Sequence, residues 1–307
     1  MTTLSPERAD RAKTVAPIYQ QVMRAAVFGL LVNIVLGGVK LAAGLVSGSF
    51  ALLSDALNSI GDAVSTVIVL AALHFAQQPP DEEHPYGHSR AEGIAASNVA
   101  LLIILSALWI AWETIGQFGK RHEMPPDWTL WIAAANVLIK EGLYRYKAAV
   151  GKRTGSAAIL ANAWDHRSDA LCSLAVLIGL GLVRFGGARF AWADAIAALF
   201  VVGLIVASGI QLFRKSASEL MDAQADDDLV RQIHEAAAKV SGVLAVEKLW
   251  VRKSGLEYFA DIHIEVGPET TVATGHEIGH HVKDSLLAQF HNLRDVLVHL
   301  EPHEQGG

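Results

Sequence analysis

Two pairs of polar residues stand in long apolar segments at a spacing that places both members of each pair on one face of a helix. Asn58 and Asp62 form the first pair, and Asp165 and Asp169 form the second. Residues four apart in a helix lie about one turn apart on the same side. Two such helices facing each other would present three carboxylates and one amide oxygen. The spacing therefore predicts a cage of oxygen ligands for a divalent cation.

The alternative interpretation is that these residues only cap, kink or pack polar helix contacts. That interpretation explains a single membrane asparagine such as Asn58 about as well as metal binding does. It does not explain three aspartates, because each charge placed in a membrane span costs roughly 2.5–3.5 kcal/mol on insertion scales. Further polar residues in the apolar segments are not assigned to the metal: Asn33, Lys40, Asp55, Glu113, Asn136, Lys140, Glu141 and Asp194.

The elements that must position these pairs are membrane helices. The chain has 307 residues, of which 52% are hydrophobic and 18% charged, and its mean hydropathy is +0.33. A soluble domain carries about 25% charged residues. Six segments reach the roughly 20 apolar residues that a span needs, and they are 24–46, 50–76, 91–117, 128–150, 156–183 and 190–213. The sequence thus predicts an α-helical membrane protein with six transmembrane helices.

The distribution of charge predicts the topology and the domains. Most Lys and Arg residues near the spans, such as Arg145, Lys152 and Arg214, fall on the side of the two termini, which the positive-inside rule places in the cytoplasm. We expect a cytoplasmic segment 1–23, a transport domain 24–215 and a cytoplasmic domain 216–307. The first 23 residues are polar and contain no cleavable signal peptide, so we expect a multi-pass protein of the cell (inner or plasma) membrane.

Composition also excludes several kinds of bond, metal site and partner. Cys172 is the single cysteine, so neither an intrachain disulfide nor a thiolate zinc cluster can form. The net charge of −6 argues against nucleic acid as a partner. We expect no organic cofactor.

The last 90 residues or so are predicted to form a small α+β domain. Three aspartates, 226–228, open a helix that runs to about residue 240, where they favour the positive end of its dipole. Two strands are predicted at 243–252 and 257–266, then a helix at 271–290 and a strand at 294–300. In the second strand Ile262 and Ile264 alternate with His263 and Glu265, which is typical of a half-buried strand. His263 is expected to face solvent or a partner.

Three sequence motifs resemble the cation diffusion facilitator family of metal/proton antiporters. They are SDALNSIGD at 54–62, HPYGHSRAE at 84–92 and AWDHRSD at 163–169. The resemblance covers nearly the whole chain. It implies a homodimer in the lipid bilayer that exchanges divalent cations for protons, with the transport site at Asn58, Asp62, Asp165 and Asp169. It also implies a ferredoxin- or metallochaperone-like tail for dimerisation and regulation.

The chain departs from the zinc-transporting members at the first position of the fifth-span pair. Those members usually have His there, whereas this sequence has Asp165, and His166 is one residue out of register. Zinc favours Cys and His ligands, while all-oxygen sites suit harder ions such as manganese. We therefore expect Mn²⁺ as the cargo, with Zn²⁺, Fe²⁺, Co²⁺ and Cd²⁺ as alternatives.

The resemblance implies further sites outside the spans. Asp81, His84 and His88 match a metal site in the loop after the second span. A regulatory metal site between the tails of a dimer is implied by four matching positions, which are His263, His276, His299 and Glu301. The family has one further histidine where this chain has Val240, so a complete two-metal cluster is not expected. Arg90 and Asp222 match a charged pair near the membrane surface of the dimer.

Two other function classes compete with transport. Residues 276–280 read HEIGH, the zinc-peptidase pattern of two histidines one turn apart with a glutamate base. A tail of about 90 residues offers this motif no substrate cleft, and so short a pattern arises by chance. A metal sensor without transport would leave the carboxylates of the spans unexplained.

Overall fold

A computed structural model describes residues 6–47, 50–116, 127–186 and 191–303. Some helical side chains within these ranges, Asn58 among them, lie outside the description. The first two thirds of the chain form six long helices. Their bounds are α1 Pro6–Ser47, α2 Phe50–Ala76, α3 Ala91–Gly116, α4 Asp127–Thr154, α5 Ala157–Gly186 and α6 Ala191–Leu220.

These helices coincide with the six predicted spans, and α1 and α6 extend beyond them into polar sequence. Among the described residues, three helical segments are long and apolar enough to cross a membrane by themselves, and they are Pro17–Ala43, Ala91–Trp112 and Leu199–Leu220. Leu31, Val35 and Val39 form an exposed apolar row along α1. Such a row is expected on a helix that faces lipid, because residues four apart share one side. The helical transmembrane domain predicted from the sequence is confirmed.

Exposed tryptophans mark one end of the helical domain. Trp109 and Trp112 lie near the C-terminal end of α3, and Trp131 lies near the N-terminal end of α4. Tryptophan is enriched at membrane–water interfaces, where its ring meets both apolar and polar surroundings. These side chains therefore fit a membrane–water interface at this end of α3 and α4.

Helix packing in the membrane domain brings α2, α3 and α4 against α5. Two glycines allow close approach. A Cβ on Gly29 of α1 would overlap the ammonium end of Lys147, and a Cβ on Gly209 of α6 would lie 2.7 Å from Cγ1 of Ile104. Small residues at such contacts are the usual means of helix packing in a bilayer. Here one of them, Gly29, makes room for the end of a buried lysine side chain.

The tail forms the predicted α+β fold. Its elements are α7 Asp227–Ala237, β1 Ala245–Ser254, β2 Glu257–Val266, α8 Val272–Gln289 and β3 Leu293–Pro302. The sheet order is β1-β2-β3, with β1 antiparallel and β3 parallel to β2. The parallel pair requires a crossover connection, and α8 provides it. This fold confirms the predicted order of helix, strand, strand, helix, strand.

The apolar face of the sheet packs under the two tail helices. Ile262 and Ile264 are fully buried with Ile233 of α7 and Leu286 of α8, whereas His263 is half-buried on the other face. The side-chain period of two in a strand produces this separation. The polar residues of β2 are thus free to form a site outside the core.

The chain divides into two compact units. One holds α2 and residues 91–217, together with α1 from Gln20. The other holds the tail from Ser218, the loop Gln77–Arg90 and the N-terminal part of α1. The loop between α2 and α3 therefore groups with the tail.

Candidate metal centres

The aspartates of the predicted cage meet a lysine between the helices. Lys140 of α4 places its Nζ 2.5 Å from Oδ2 of Asp62 on α2 and 3.0 Å from Oδ2 of Asp169 on α5. The lysine side chain is 1% exposed, and those of Asp62 and Asp169 are 7% and 19% exposed. One ammonium therefore joins carboxylates from both helices that carry the polar pairs. We call Asp62, Asp165, Asp169 and Lys140 the cage cluster.

Asp165 lies one turn before Asp169 on α5. Its Oδ2 is buried and has no well-placed donor among the described residues, and the Ser65 hydroxyl is the polar group that interacts with this carboxylate. A buried oxygen without a donor is costly and commonly indicates an absent ligand or ion. The structure thus brings Asp62 and Asp169 together and leaves an acceptor of Asp165 available nearby. The side chain of Asn58, the fourth predicted ligand, lies outside the description.

Neither Lys140 nor Glu141 was assigned a role from the sequence. In the structure Glu141 accepts a hydrogen bond of 2.8 Å from Arg145 one turn later, while Lys140 turns inward. The signal for its role was the presence of a lysine in an apolar helix, since such residues almost always face a partner charge.

A second polar cluster lies one heptad further along α4. Lys147 Nζ lies 2.5 Å from Oδ1 of Asn162 and 2.8 Å from Nε2 of His166. Nδ2 of Asn162 donates to Oγ1 of Thr66 at 3.3 Å, and this hydroxyl donates to the carbonyl of Asp62. His166 therefore contacts Lys147, which agrees with its predicted position out of register with Asp165 and Asp169.

The loop after α2 carries a compact set of ligand atoms. Asp81, His84 and His88 each offer one atom within 4.8 Å of the others. His84 Nδ1 and His88 Nε2 both lie 3.3 Å from the Asp81 carboxylate, and His88 is buried while the other two are exposed. The backbone N–H of His84, 2.6 Å from Oδ1, lowers the pKa of Asp81. An ionised carboxylate beside two imidazoles suits a divalent cation.

The same loop is docked on the tail. Ser89 and Ser254 share a hydrogen bond of 2.8 Å, and the ring of Tyr86 lies edge-on to Phe259 at 6.1 Å. Arg90 forms an ion pair with Asp222, which adopts a positive φ of 59°. The charged pair implied by the family resemblance is thus formed within one chain.

A third set of ligand atoms lies on the exposed face of the sheet. Parallel pairing of β2 with β3 sets His263 beside His299, with ring centroids 4.7 Å apart. Glu301 places Oε1 2.6 Å from Nδ1 of His263 and 3.7 Å from Nε2 of His299. The edge of Trp250 faces His263 at 5.4 Å. We call His263, His299 and Glu301 the tail cluster, whose ligand atoms all lie within 4.8 Å of one another.

Local hydrogen bonds favour the ionised form of the Glu301 carboxyl group. Hydrogen bonding with Glu247, and then with His263, lowers the pKa of Glu301 below its ordinary value. The ionised form of the Glu301 side chain is therefore favoured, which suits a metal ligand.

His276, the fourth predicted ligand of this site, is not part of the tail cluster within the chain. It lies exposed on α8, where its ring is 4.5 Å from that of His280 one turn later. Glu277, the base of the HEIGH motif, is exposed on the same helix. A contribution from His276 to the tail cluster would require a second copy of the chain.

Comparison with known proteins covers both parts of the chain. Residues 26–221 match the family described as the cation efflux transmembrane domain. Residues 225–303 match the cytoplasmic domain of cation efflux proteins, through which these proteins dimerise.

Individual relatives match over most of their length. The manganese efflux system protein MneP of Bacillus subtilis is 32% identical over 91% of this chain and 96% of its own. Metal tolerance protein 2 of Oryza sativa is 32% identical over 89% of this chain and 76% of its own. The magnetosome protein MamB of Magnetospira is 32% identical over 84% of this chain and 88% of its own.

Among solved structures, a cadmium form of a MamM CTD variant is 32% identical, with a TM-score of 0.25. The match covers 25% of the present chain and 98% of the MamM CTD chain. The two family matches together account for residues 26–221 and 225–303, which include the cage cluster and the tail cluster. The chain therefore belongs to the cation diffusion facilitator family, whose members are membrane transporters that export metal cations and are not enzymes.

Proposed function

We propose that this protein exports a divalent metal cation from the cytoplasm in exchange for protons, through a site formed by Asn58, Asp62, Asp165 and Asp169. The observation that carries the proposal is the meeting of buried carboxylates from α2 and α5 around a single ammonium group. Such a concentration of charge in a membrane domain costs free energy, and charged residues in membrane spans commonly mark an ion pathway. A metal sensor without transport would give these residues no role.

Mn²⁺ is the proposed cargo. The described ligands of the cage cluster are carboxylate oxygens, which suit harder ions such as manganese better than zinc. Two relatives from Bacillus subtilis, MneP and MneS, are manganese efflux system proteins. Zn²⁺ is the first alternative, followed by Fe²⁺, Co²⁺ and Cd²⁺. The HEIGH motif supports no peptidase, because the family consists of transporters.

Proton exchange follows from the same carboxylates. When the metal leaves toward the outside, the negative charges of Asp62, Asp165 and Asp169 repel one another in surroundings of low dielectric constant. Protons from the outer side can replace the lost positive charge. Their release to the cytoplasm then prepares the site for the next metal ion.

The loop set and the tail cluster are proposed as regulatory sites. Asp81, His84 and His88 would bind one ion, and the tail cluster would bind another, with His276 supplied by the second subunit of a homodimer. Because the loop is docked on the tail through Ser89 and Arg90, occupancy of one site would stabilise the other. We place the protein in the cell membrane with both termini in the cytoplasm.

The cargo is tested with purified protein in liposomes. Initial uptake rates are compared for Mn²⁺, Zn²⁺, Fe²⁺, Co²⁺ and Cd²⁺. We expect the native protein to favour Mn²⁺, and Asp165→His to shift the preference toward Zn²⁺ because it introduces the nitrogen ligand that zinc favours. Glu277→Gln is the control, since this exposed residue of α8 lies outside the membrane domain, and it should leave the preference unchanged. A native preference for Zn²⁺ would overturn the assignment of the cargo.

Proton exchange is tested in everted membrane vesicles. Collapse of the pH gradient should slow Mn²⁺ accumulation to the rate of vesicles that lack the protein. Vesicles carrying Asp62→Asn at the same expression level provide the baseline. Accumulation that continues unchanged without a gradient would exclude proton antiport.

A further inference from the structure

Lys140 occupies the carboxylate oxygens that a metal ion would need. Its Nζ lies 2.5 Å from Asp62 Oδ2 and 3.0 Å from Asp169 Oδ2, and its side chain is 1% exposed. The first distance is shorter than the roughly 2.7–2.9 Å of a charge-assisted hydrogen bond, and the second lies just beyond that range. A divalent cation cannot bind these oxygens closely while an ammonium group holds them, because the two cations would repel each other across a few ångströms.

A place for the displaced ammonium exists on the same helix. Asn136 precedes Lys140 by four residues, so the two side chains share one face of α4. Its Oδ1 is buried and accepts no hydrogen bond from the described part of the chain, while its Nδ2 donates to Ser173 Oγ at 3.4 Å. Long side chains on helices lean toward the N-terminus, which is the direction of Asn136. A rotation of the Lys140 side chain would therefore bring its Nζ to Oδ1 of Asn136.

We propose that Lys140 is a resident counter-cation that competes with the cargo. In the empty site it holds Asp62 and Asp169, and when the metal binds it moves to Oδ1 of Asn136. This inference rests on the proposed function, since it takes the cage cluster as the transport site. Lys140 binds no metal itself, and its role is to position the carboxylates and to set their affinity.

The competition has a direct consequence for transport. An exporter must bind its cargo tightly enough to load and weakly enough to release it. An internal cation that returns to the carboxylates when the metal leaves lowers the affinity and favours release. It also neutralises one of the three aspartate charges between cycles and leaves the others to the exchanged protons.

The test measures equilibrium Mn²⁺ binding to the full-length protein by titration calorimetry. All variants carry His84→Ala and His263→Ala, so that the loop set and the tail cluster do not contribute. Lys140→Met removes the competing charge and keeps the length of the side chain, and it should tighten Mn²⁺ binding at least about tenfold. Lys140→Arg keeps a cation in place and should retain the weaker affinity.

Three further variants complete the test. Lys147→Met removes a buried lysine from the same face of α4. Because Lys147 contacts Asn162 and His166 instead of the aspartates, this variant measures the effect of losing a buried lysine that does not hold the carboxylates. Asn136→Leu removes the proposed acceptor and should weaken Mn²⁺ binding. If Lys140→Met does not yield folded protein, Lys140→Gln replaces it, because its amide can still donate to a carboxylate without a charge.

The outcomes separate this inference from the proposed function. Mn²⁺ binding that tightens no more in Lys140→Met or Lys140→Gln than in Lys147→Met would overturn the inference. Unchanged binding in Asn136→Leu would overturn the assigned acceptor. Asp62→Asn in the same background should abolish the remaining binding, and if it does not, the proposed transport site is wrong instead.

Discussion

The cage cluster of the membrane domain and the tail cluster of the sheet both hold carboxylates beside nitrogen groups, but the cage cluster is largely buried and the tail cluster is partly exposed. In the cage cluster the side chains of Asp62 and Asp169 are 7% and 19% exposed, and a buried lysine from a third helix supplies the positive charge. In the tail cluster His299 is 61% exposed, so water and ions can screen Glu301. Burial makes an unpaired charge costly, whereas exposure does not. The difference teaches that carboxylates packed inside a membrane domain need a partner charge from another helix, whereas those at a protein surface do not.

The largest effect that would test this difference is expected for Asp62→Asn. The change keeps an oxygen at this position but removes one negative charge, both from the proposed transport site and from the ion pair with Lys140. Because that charge attracts a divalent cation strongly in surroundings of low dielectric constant, we expect Mn²⁺ transport in everted vesicles to fall at least about 100-fold. Immunoblotting and gel filtration check that the variant is made and folded. Transport near the native rate would show that the buried carboxylates are not the pathway.

A smaller effect is expected for Glu301→Gln in the tail. The amide cannot carry the negative charge of the carboxylate, so metal affinity of the tail should fall roughly tenfold or more, while transport at saturating Mn²⁺ should change far less than in Asp62→Asn. Trp250 beside His263 reports the binding. It is the single tryptophan of residues 218–307, so fluorescence titration of this fragment isolates the tail cluster. Glu277→Gln, on exposed α8, is the matched control. An equal loss of transport in both clusters would erase the contrast between them.

The smallest effect is expected for the ion pair of Arg90 with Asp222. Both side chains are nearly half exposed, at 48% and 43%, and exposed pairs contribute about 0–1 kcal/mol. A double-mutant cycle with Arg90→Gln and Asp222→Asn, followed by thermal unfolding, should therefore give a coupling energy in that range that shrinks at high salt. A coupling above about 3 kcal/mol, the range of buried pairs, would place this contact with the cage cluster instead.

Several features could be predicted because they depend on local periodicity. Hydropathy located the six helices, and the alternation of Ile262 and Ile264 with His263 assigned both faces of β2. The spacing of Asp165 and Asp169 placed both on one side of α5. Each of these conclusions needs only the geometry of a single helix or strand.

Long-range contacts could not be predicted in the same way. His263 and His299 meet because β2 and β3 pair in parallel register, and this register depends on how α8 crosses the sheet. The same packing leaves His276 on an exposed face of α8, although its sequence motif resembled a metal site. A single chain therefore provides two of the three histidines that the family resemblance grouped.

The sequence by itself determined the membrane class, the α+β tail and the residue types available for metal binding, because hydropathy and side-chain chemistry are properties of short segments. Only the tertiary structure decided that Lys140, and not Lys147 seven residues later on α4, reaches Asp62 and Asp169. That choice depends on how α2, α4 and α5 pack against one another. Charges buried by packing must find partners across helices, and no local pattern specifies which partner each one meets.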